Sequence, residues 1–283
     1  MTAPIATQVR RARSNFYVAM RLMPRERRAA MFAVYALART LDDITDAPGD
    51  VDGKRQALGS WRAEIDAIYA GRPSTEIGRA LVPVVARFDL PRAEFLELLY
   101  GLEMDLTTSM RAPGISTLAL YCRRVAGSIG LITLRIFEAD DPPARAFALA
   151  LGHAMQLTNI LRDIAEDADR NRLYLPREIL DGAGIAERHP ARVLAHPDFP
   201  KVRAAFCAHV RRAFDAAEAS LAACPNRRGL WPGLVMMAVY RRLFDQLDRP
   251  SHVGCAPGRI GLFTQLWIAL RTAWSVRWAS STS

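Results

Sequence analysis

The sequence predicts an all-α fold, on three observations. No segment shows the sustained period-two alternation of a half-buried strand, long stretches carry helical spacing, and compact turn signals punctuate those stretches. The turn signals are Ala47-Pro48-Gly49-Asp50, Gly71-Arg72-Pro73-Ser74, Asp89-Leu90-Pro91, Ala112-Pro113-Gly114, Asp140-Asp141-Pro142-Pro143, Cys224-Pro225 and Pro257-Gly258. Between them the spacing predicts helices near 24–46, 54–70, 75–88, 91–107, 116–137, 143–169, 200–223, 231–248 and 259–277. The least regular connection runs roughly over 171–199 and contains Pro176, Gly182, Gly184, Pro190 and Pro197. No internal repeat, low-complexity tract or linker divides the 283 residues, so one domain is expected throughout.

Hydrophobic residues make up 51% of the chain, enough to bury a large core. The formal net charge is +9, and because Lys54 and Lys201 are the only lysines the positive charge is almost all arginine. Arginine offers a rigid fork of donors that suits phosphate and carboxylate oxygens, so phosphorylated ligands, nucleic acid or anionic membrane are the classes it suggests. The scattered Cys122, Cys207, Cys224 and Cys255 form no C-x-x-C pair and read as reduced, mostly buried thiols. The first ten residues lack a signal-peptide core, and no uninterrupted apolar stretch is long enough to span a bilayer. The expectation is a cytoplasmic protein, soluble or peripheral at the inner membrane surface.

Chemistry first shows in Arg39-Thr40-Leu41-Asp42-Asp43-Ile44-Thr45-Asp46. Asp42 and Asp46 are four apart and stack on one helical face, which runs back through Ala38, Tyr35 and Met31. On an exposed helix such a pair costs about 0.2–0.5 kcal/mol. At an effective dielectric of 20 and a separation of about 6 Å the repulsion is nearer 3 kcal/mol, and a pocket there would need a cation. Aspartates near a helix end are also commonly solvated or capping, so this motif alone leaves both readings open.

The second motif repeats the logic in Gln156-Leu157-Thr158-Asn159-Ile160-Leu161-Arg162-Asp163-Ile164-Ala165-Glu166-Asp167. Asn159, Asp163 and Asp167 fall at four-residue steps, with Gln156 one turn earlier on the same side and apolar residues over much of the rest. Such a helix belongs inside a bundle, where its polar stripe must line a cavity. Carboxylates on two helices beside arginines suit magnesium, which takes oxygen ligands and commonly shares them with substrate phosphates. His153, His189, His196, His209 and His252 make no zinc-type cluster, and the chain has no P-loop and no G-x-G-x-x-G after a strand.

At these residues the sequence resembles the squalene and phytoene synthase family of head-to-head (1′–1) prenyl synthases, over most of the chain from Ser14 to about Arg271. The two aspartate motifs and Arg172-Leu173-Tyr174-Leu175-Pro176 carry the likeness. Within the family, Gly101–Asp105, Tyr121–Gly127 and Met236–Tyr240 look most like the bacterial presqualene diphosphate synthases of hopanoid pathways, with bacterial phytoene synthases as the runner-up. The resemblance implies an isoprenoid-synthase helical bundle around a central cavity and a prenyltransferase acting on prenyl diphosphates, with farnesyl diphosphate as substrate and magnesium as cofactor. It implies that Asp42, Asp46, Asn159, Asp163 and Asp167 hold magnesium and that Arg39, Arg162, Tyr240, Gln156 and Ser14 touch diphosphate oxygens. Tyr35, Phe16 and Tyr121 would then face an allylic cation; from its own spacing core packing is the default for each, and only the resemblance lifts them above it. Two departures stand out: Asn15 where the family has a small hydroxyl before the phenylalanine, and the absence of a lysine-proline pattern in Ser251–Gly258. Enzymes that turn the product into squalene are the partners this reading brings with it.

Three further features carry two readings each. Gly127 and Gly130 would make room for an isoprenoid tail or let helices pack closely. The stripe Phe263, Trp267, Leu270, Trp274 and Trp278, with Arg271 and Arg277 nearby, is expected on amphipathic grounds to close the core, the other reading being membrane contact. A basic helical nucleic-acid-binding protein is the competing class, but the arginines are spread along the chain and the aspartate stripes would repel a polyanion.

Overall fold

The computed structural model describes residues 16–107, 110–225, 227–249 and 260–278, with side chains over 19–106, 110–225, 227–249, 260–261 and 263–272. Among the described residues there are only helices and one isolated bridge, between Arg111 and Leu173. In chain order the helices are α1 Phe16–Arg21, α2 Arg25–Asp46, α3 Val51–Tyr69, α4 Glu76–Phe88, α5 Arg92–Thr107, α6 Ile115–Cys122 and α7 Ser128–Phe137. They continue as α8 Pro142–Asp169, α9 Arg177–Gly182, α10 Pro190–Leu194, α11 Phe199–Ala222, α12 Trp231–Leu247 and α13 Leu262–Trp278.

Local chemistry sets the ends. Asp50 caps α3, accepting from Gly53 N at 2.7 Å, and Asp141 caps α8, accepting from Ala144 N at 2.8 Å ahead of Pro142 and Pro143 in the first turn. Buried Glu64 accepts from the backbone and hydroxyls of Ser74 and Thr75, which pins the start of α4 onto α3. The run expected as one helix over 116–137 has a π-helical turn, Arg123–Gly127, between α6 and α7. The irregular connection after α8 contains α9, which follows Pro176, and α10, which begins at Pro190; proline suits a helix start but gives no periodic signal in so short a piece.

Packing divides the interior into two main clusters. One joins α2–α5 with part of α7, around Leu37, Leu41, Leu58, Ile65 and Leu99. The other joins α6, α8, α11 and α12, around Leu157, Phe206, Phe214 and Phe244. Between them lies a cavity open to solvent, of about 260 Å³, walled by α1, α2, the π-turn, α7, α8 and α12. Ile115–Phe137 is long and apolar enough by composition to cross a membrane, although Arg123, Arg124 and Arg135 interrupt it; it packs against α5 and α8 and forms part of the cavity wall. Cys122, Cys207 and Cys224 are free and buried, and Cys255 lies outside the described residues. Many of the arginines are held in ion pairs within or between neighbouring helices, among them Arg62–Glu103 at 2.8 Å and Arg123–Glu94 at 2.9 Å.

Candidate active site

Helices α2 and α8 run along the cavity and carry the two motifs to the same end of it. Met31, Val34, Tyr35 and Ala38 of α2 line the wall, and one turn beyond Ala38 comes Asp42. On α8 the wall passes through Phe147, Leu151, Met155, Gln156 and Asn159, and one turn beyond Asn159 comes Asp163. The rest of the wall is almost wholly apolar.

On α2, Arg39 pairs with Asp43 at 2.7 Å and lies 3.5 Å from Asp42. Asp46 accepts from Arg172 at 2.9 Å, with Arg170 3.9 Å from its other oxygen. Asp42 is the less compensated carboxylate. Burial, then repulsion from Asp46, raises its pKa to about 6 against the pull of Arg39. Its side chain is half exposed, so water screens part of this effect.

On α8, Arg162 grips Asp163 through two parallel bonds of 2.7 and 2.6 Å. No guanidinium among the described residues comes within ion-pair distance of Asp167; burial first, then repulsion from Asp163, raises its pKa to about 7. Buried Tyr240 lies beside Arg162 and Asn159; burial raises its pKa, while those neighbours favour the phenolate. Gln156 accepts from Asn159 Nδ2 at 3.3 Å.

A junction that sequence reasoning missed joins the two motifs. Asn171 takes a left-handed conformation with φ 61°, which asparagine tolerates, and turns the chain back at the end of α8. The following strand-like segment exchanges backbone bonds with 110–112 and delivers Arg172 to Asp46 and Tyr174 to Asp105. Asp105, on α5, accepts from the hydroxyls of Tyr174 at 2.7 Å and Tyr121 at 3.3 Å. Burial raises the Asp105 pKa, opposed by Arg172 and both tyrosines, and its charge is felt by Asp42 and Asp167 alike. The available signal was the presence of Asp105, Arg172 and Tyr174 inside segments that carried the family likeness; spacing alone could not bring residues 69 positions apart together.

Of the expected aromatic residues, Tyr35 lines the cavity, whereas Tyr121 is outside its wall, stacked on Tyr174 with ring centroids 5.1 Å apart. Phe16 begins α1, but its side chain, like Ser14 and Asn15, lies outside the described residues. Gly130 serves both readings given to it: it lines the cavity, and a Cβ there would come 3.1 Å from the Ala148 carbonyl oxygen. Gly127 serves close packing, since a Cβ would meet Leu149 at 3.0 Å.

The donor set suits a hard cation. Every polar group of the two stripes offers oxygen, and Asn159 Oδ1 is buried with no hydrogen-bond partner, an acceptor left open beside the carboxylates. Among the described residues no group of three or more acidic, histidine or cysteine side chains is gathered closely enough to hold an ion unaided. That matches a cation whose coordination is completed by substrate oxygens and water.

Known proteins repeat this architecture. A sequence profile described as squalene/phytoene synthase matches residues 9–262. The chain is 40% identical to a presqualene diphosphate synthase of Sinorhizobium fredii over 83% of each protein. It is 36% identical to that of Rhodopseudomonas palustris over 92% of this chain and 93% of the other. A phytoene synthase of Arthrospira platensis matches at 33%, over 84% of this chain and 81% of the other. In three dimensions a dehydrosqualene synthase solved with a ligand superposes with a TM-score of 0.79, at 23% identity, covering 97% of this chain and 96% of that one.

Proposed function

Because the chain belongs to the squalene/phytoene synthase family, we propose that it joins two farnesyl diphosphates head to head (1′–1), yielding presqualene diphosphate and free diphosphate. It is a prenyltransferase with the all-α isoprenoid-synthase fold. The observation that carries the reading is an apolar cavity with a carboxylate motif one turn beyond it on each of two helices.

The chain's own residues perform distinct tasks. Arg39, Arg162, Gln156 and Tyr240 offer N–H and O–H donors to the diphosphate oxygens, a set the family resemblance extends to Ser14, so the leaving group meets donors already in place. Magnesium held by Asp42, Asp46, Asn159, Asp163 and Asp167 supplies Lewis-acid neutralisation of the departing charge when bound. The apolar wall keeps water from the allylic cation, with Tyr35 offering its ring face. The 2,3 double bond of the second substrate attacks C1 of that cation; loss of one proton, with the released diphosphate as acceptor, closes the cyclopropane. The family resemblance assigns Phe16 to tail binding, and Tyr121 acts through Asp105. The product then requires a separate enzyme that consumes a cyclopropylcarbinyl diphosphate to make squalene.

The competing reading is a phytoene synthase using two C20 substrates, which the lower but extensive likeness to phytoene synthases supports. Product analysis separates the two. Purified protein with magnesium is given farnesyl or geranylgeranyl diphosphate, with and without NADPH, and the lipids are identified by mass spectrometry before and after phosphatase treatment. The expected product is presqualene diphosphate from the C15 substrate, unchanged by NADPH. Preferential formation of a C40 hydrocarbon establishes the competitor, and NADPH-dependent squalene overturns the assigned end point.

A further inference from the structure

Helix α13 is turned opposite to the sequence expectation. Its buried face consists of Gln265, Ile268 and Ala269, packed toward α12 and α1. Phe263, Leu266, Trp267 and Leu270 point outward, with 89%, 40%, 60% and 57% of their surface exposed. The stripe expected to close the core is therefore outside it at Phe263, Trp267 and Leu270; the side chains of Trp274 and Trp278 lie outside the described residues. On the inner side Gln265 donates to the Ile260 carbonyl at 2.8 Å, beside buried Ile268 and Ala269.

Positions 263, 266, 267 and 270 follow the i, i+3, i+4, i+7 spacing of one helical face, so the outward stripe is continuous. Half of the eight large apolar side chains exposed among the described residues stand on it. The Arg271 guanidinium sits over the Trp267 ring, 5.3 Å from its centre, at the edge of the stripe. The sequence of α13 contains Arg271 and Arg277 and no acidic residue. The helix rests on α1, whose Ala19 and Met20 belong to the cavity wall, so the stripe lies one helix away from the site.

We propose that this face docks on the surface of an anionic lipid bilayer, with α13 lying in the interface. Aromatic and aliphatic side chains flanked by arginine are the composition that partitions there, the apolar part entering the acyl boundary and the guanidinium meeting lipid phosphate. A second copy of the chain fits less well, because a two-fold contact would bring two arginine-edged stripes together with no carboxylate on either helix to pair them. The buried Gln265 face excludes a spanning role.

The test uses the full chain and vesicles of phosphatidylcholine with or without phosphatidylglycerol, scored by co-sedimentation, and needs no turnover, so its outcome is independent of the enzyme assay. Wild type should sediment with the anionic vesicles and far less with the neutral ones. Trp267→Ser/Leu270→Ser should remain in the supernatant with wild-type circular dichroism and melting, since both side chains are exposed. Arg271→Glu should weaken binding to anionic vesicles by roughly tenfold or more, as expected for reversing one charge at the surface. Absence of wild-type binding to anionic vesicles, or undiminished binding by the double variant, overturns the proposal. Concentration-dependent dimerisation in the ultracentrifuge that Trp267→Ser abolishes would assign the face to a second copy instead.

Discussion

The motifs on α2 and α8 look alike in sequence but are neutralised differently. On α8, Asp163 is gripped by Arg162, its immediate neighbour, so that compensation is built into one turn of one helix. On α2, Asp46 takes its partner from beyond the end of α8, through Arg172, and depends on the whole fold for it. Yet each motif keeps one carboxylate with a raised pKa, Asp42 and Asp167, and the intervening Asp105 pushes both upward. Protein cations satisfy half of each motif and leave the other half for a cation that arrives with the substrate's diphosphate.

If that division is correct, neutralising either motif removes catalysis. Asp42→Asn and Asp163→Asn should each lower kcat by about 10³-fold or more, with helical content and melting cooperativity retained. Near-normal turnover of either variant at saturating magnesium refutes the metal assignment. The two arginines should differ in stability. Arg172→Met strands Asp46 and removes a cation from Asp105, with the arginine side chain only 14% exposed, and should cost about 3 kcal/mol in a denaturant titration. Arg162→Met, whose partner is its own neighbour, should cost about 1–2 kcal/mol; an equal loss would erase the contrast.

The pH dependence follows from the raised carboxyls. The folded state holds the protons of Asp42 and Asp167 more tightly than the unfolded chain, so metal-free protein should gain stability as pH falls through about 7 and then about 6. The gain is complete only below the ordinary carboxylate range near about 4, where other groups begin to oppose it. Melting curves of wild type and Asp167→Asn between about pH 8 and 5.5 isolate this contribution, and magnesium with inorganic pyrophosphate should flatten the wild-type profile. Parallel curves for the two proteins would show that Asp167 does not carry it. The smallest effect is expected for Asp105→Asn: an amide still serves both tyrosine hydroxyls, so stability should change by no more than about 1 kcal/mol. The same change should reduce the pH dependence by withdrawing the charge that couples the motifs.

What could be read from sequence was what repeats locally. The four-residue steps of Asp42/Asp46 and Asn159/Asp163/Asp167 gave the two polar stripes, and the turn signals gave the long helices to within a few residues. The Asp105–Tyr174 bond and the Arg172–Asp46 pair were hidden because they depend on a turn at Asn171 and a two-bond backbone bridge, which leave no periodic trace. Helix α13 misled for another reason: periodicity identifies a stripe but does not say which side of it the protein occupies.

The π-turn at Arg123–Gly127 has a consequence for the evolution of the cavity. One residue added to an α-helix advances everything after it by about 100° in phase and about 1.5 Å in rise. Upstream of the turn, Tyr121 is aimed at Asp105; downstream, Ile129, Gly130, Thr133 and Leu134 are aimed into the cavity. A continuous α-helix would put one of these two sets out of phase. Substitutions in α7 can therefore resize the cavity one side chain at a time, whereas a single-residue deletion within 123–127 would rotate the whole wall away at once. Variation in this stretch should be confined to residue identity, with its length held fixed.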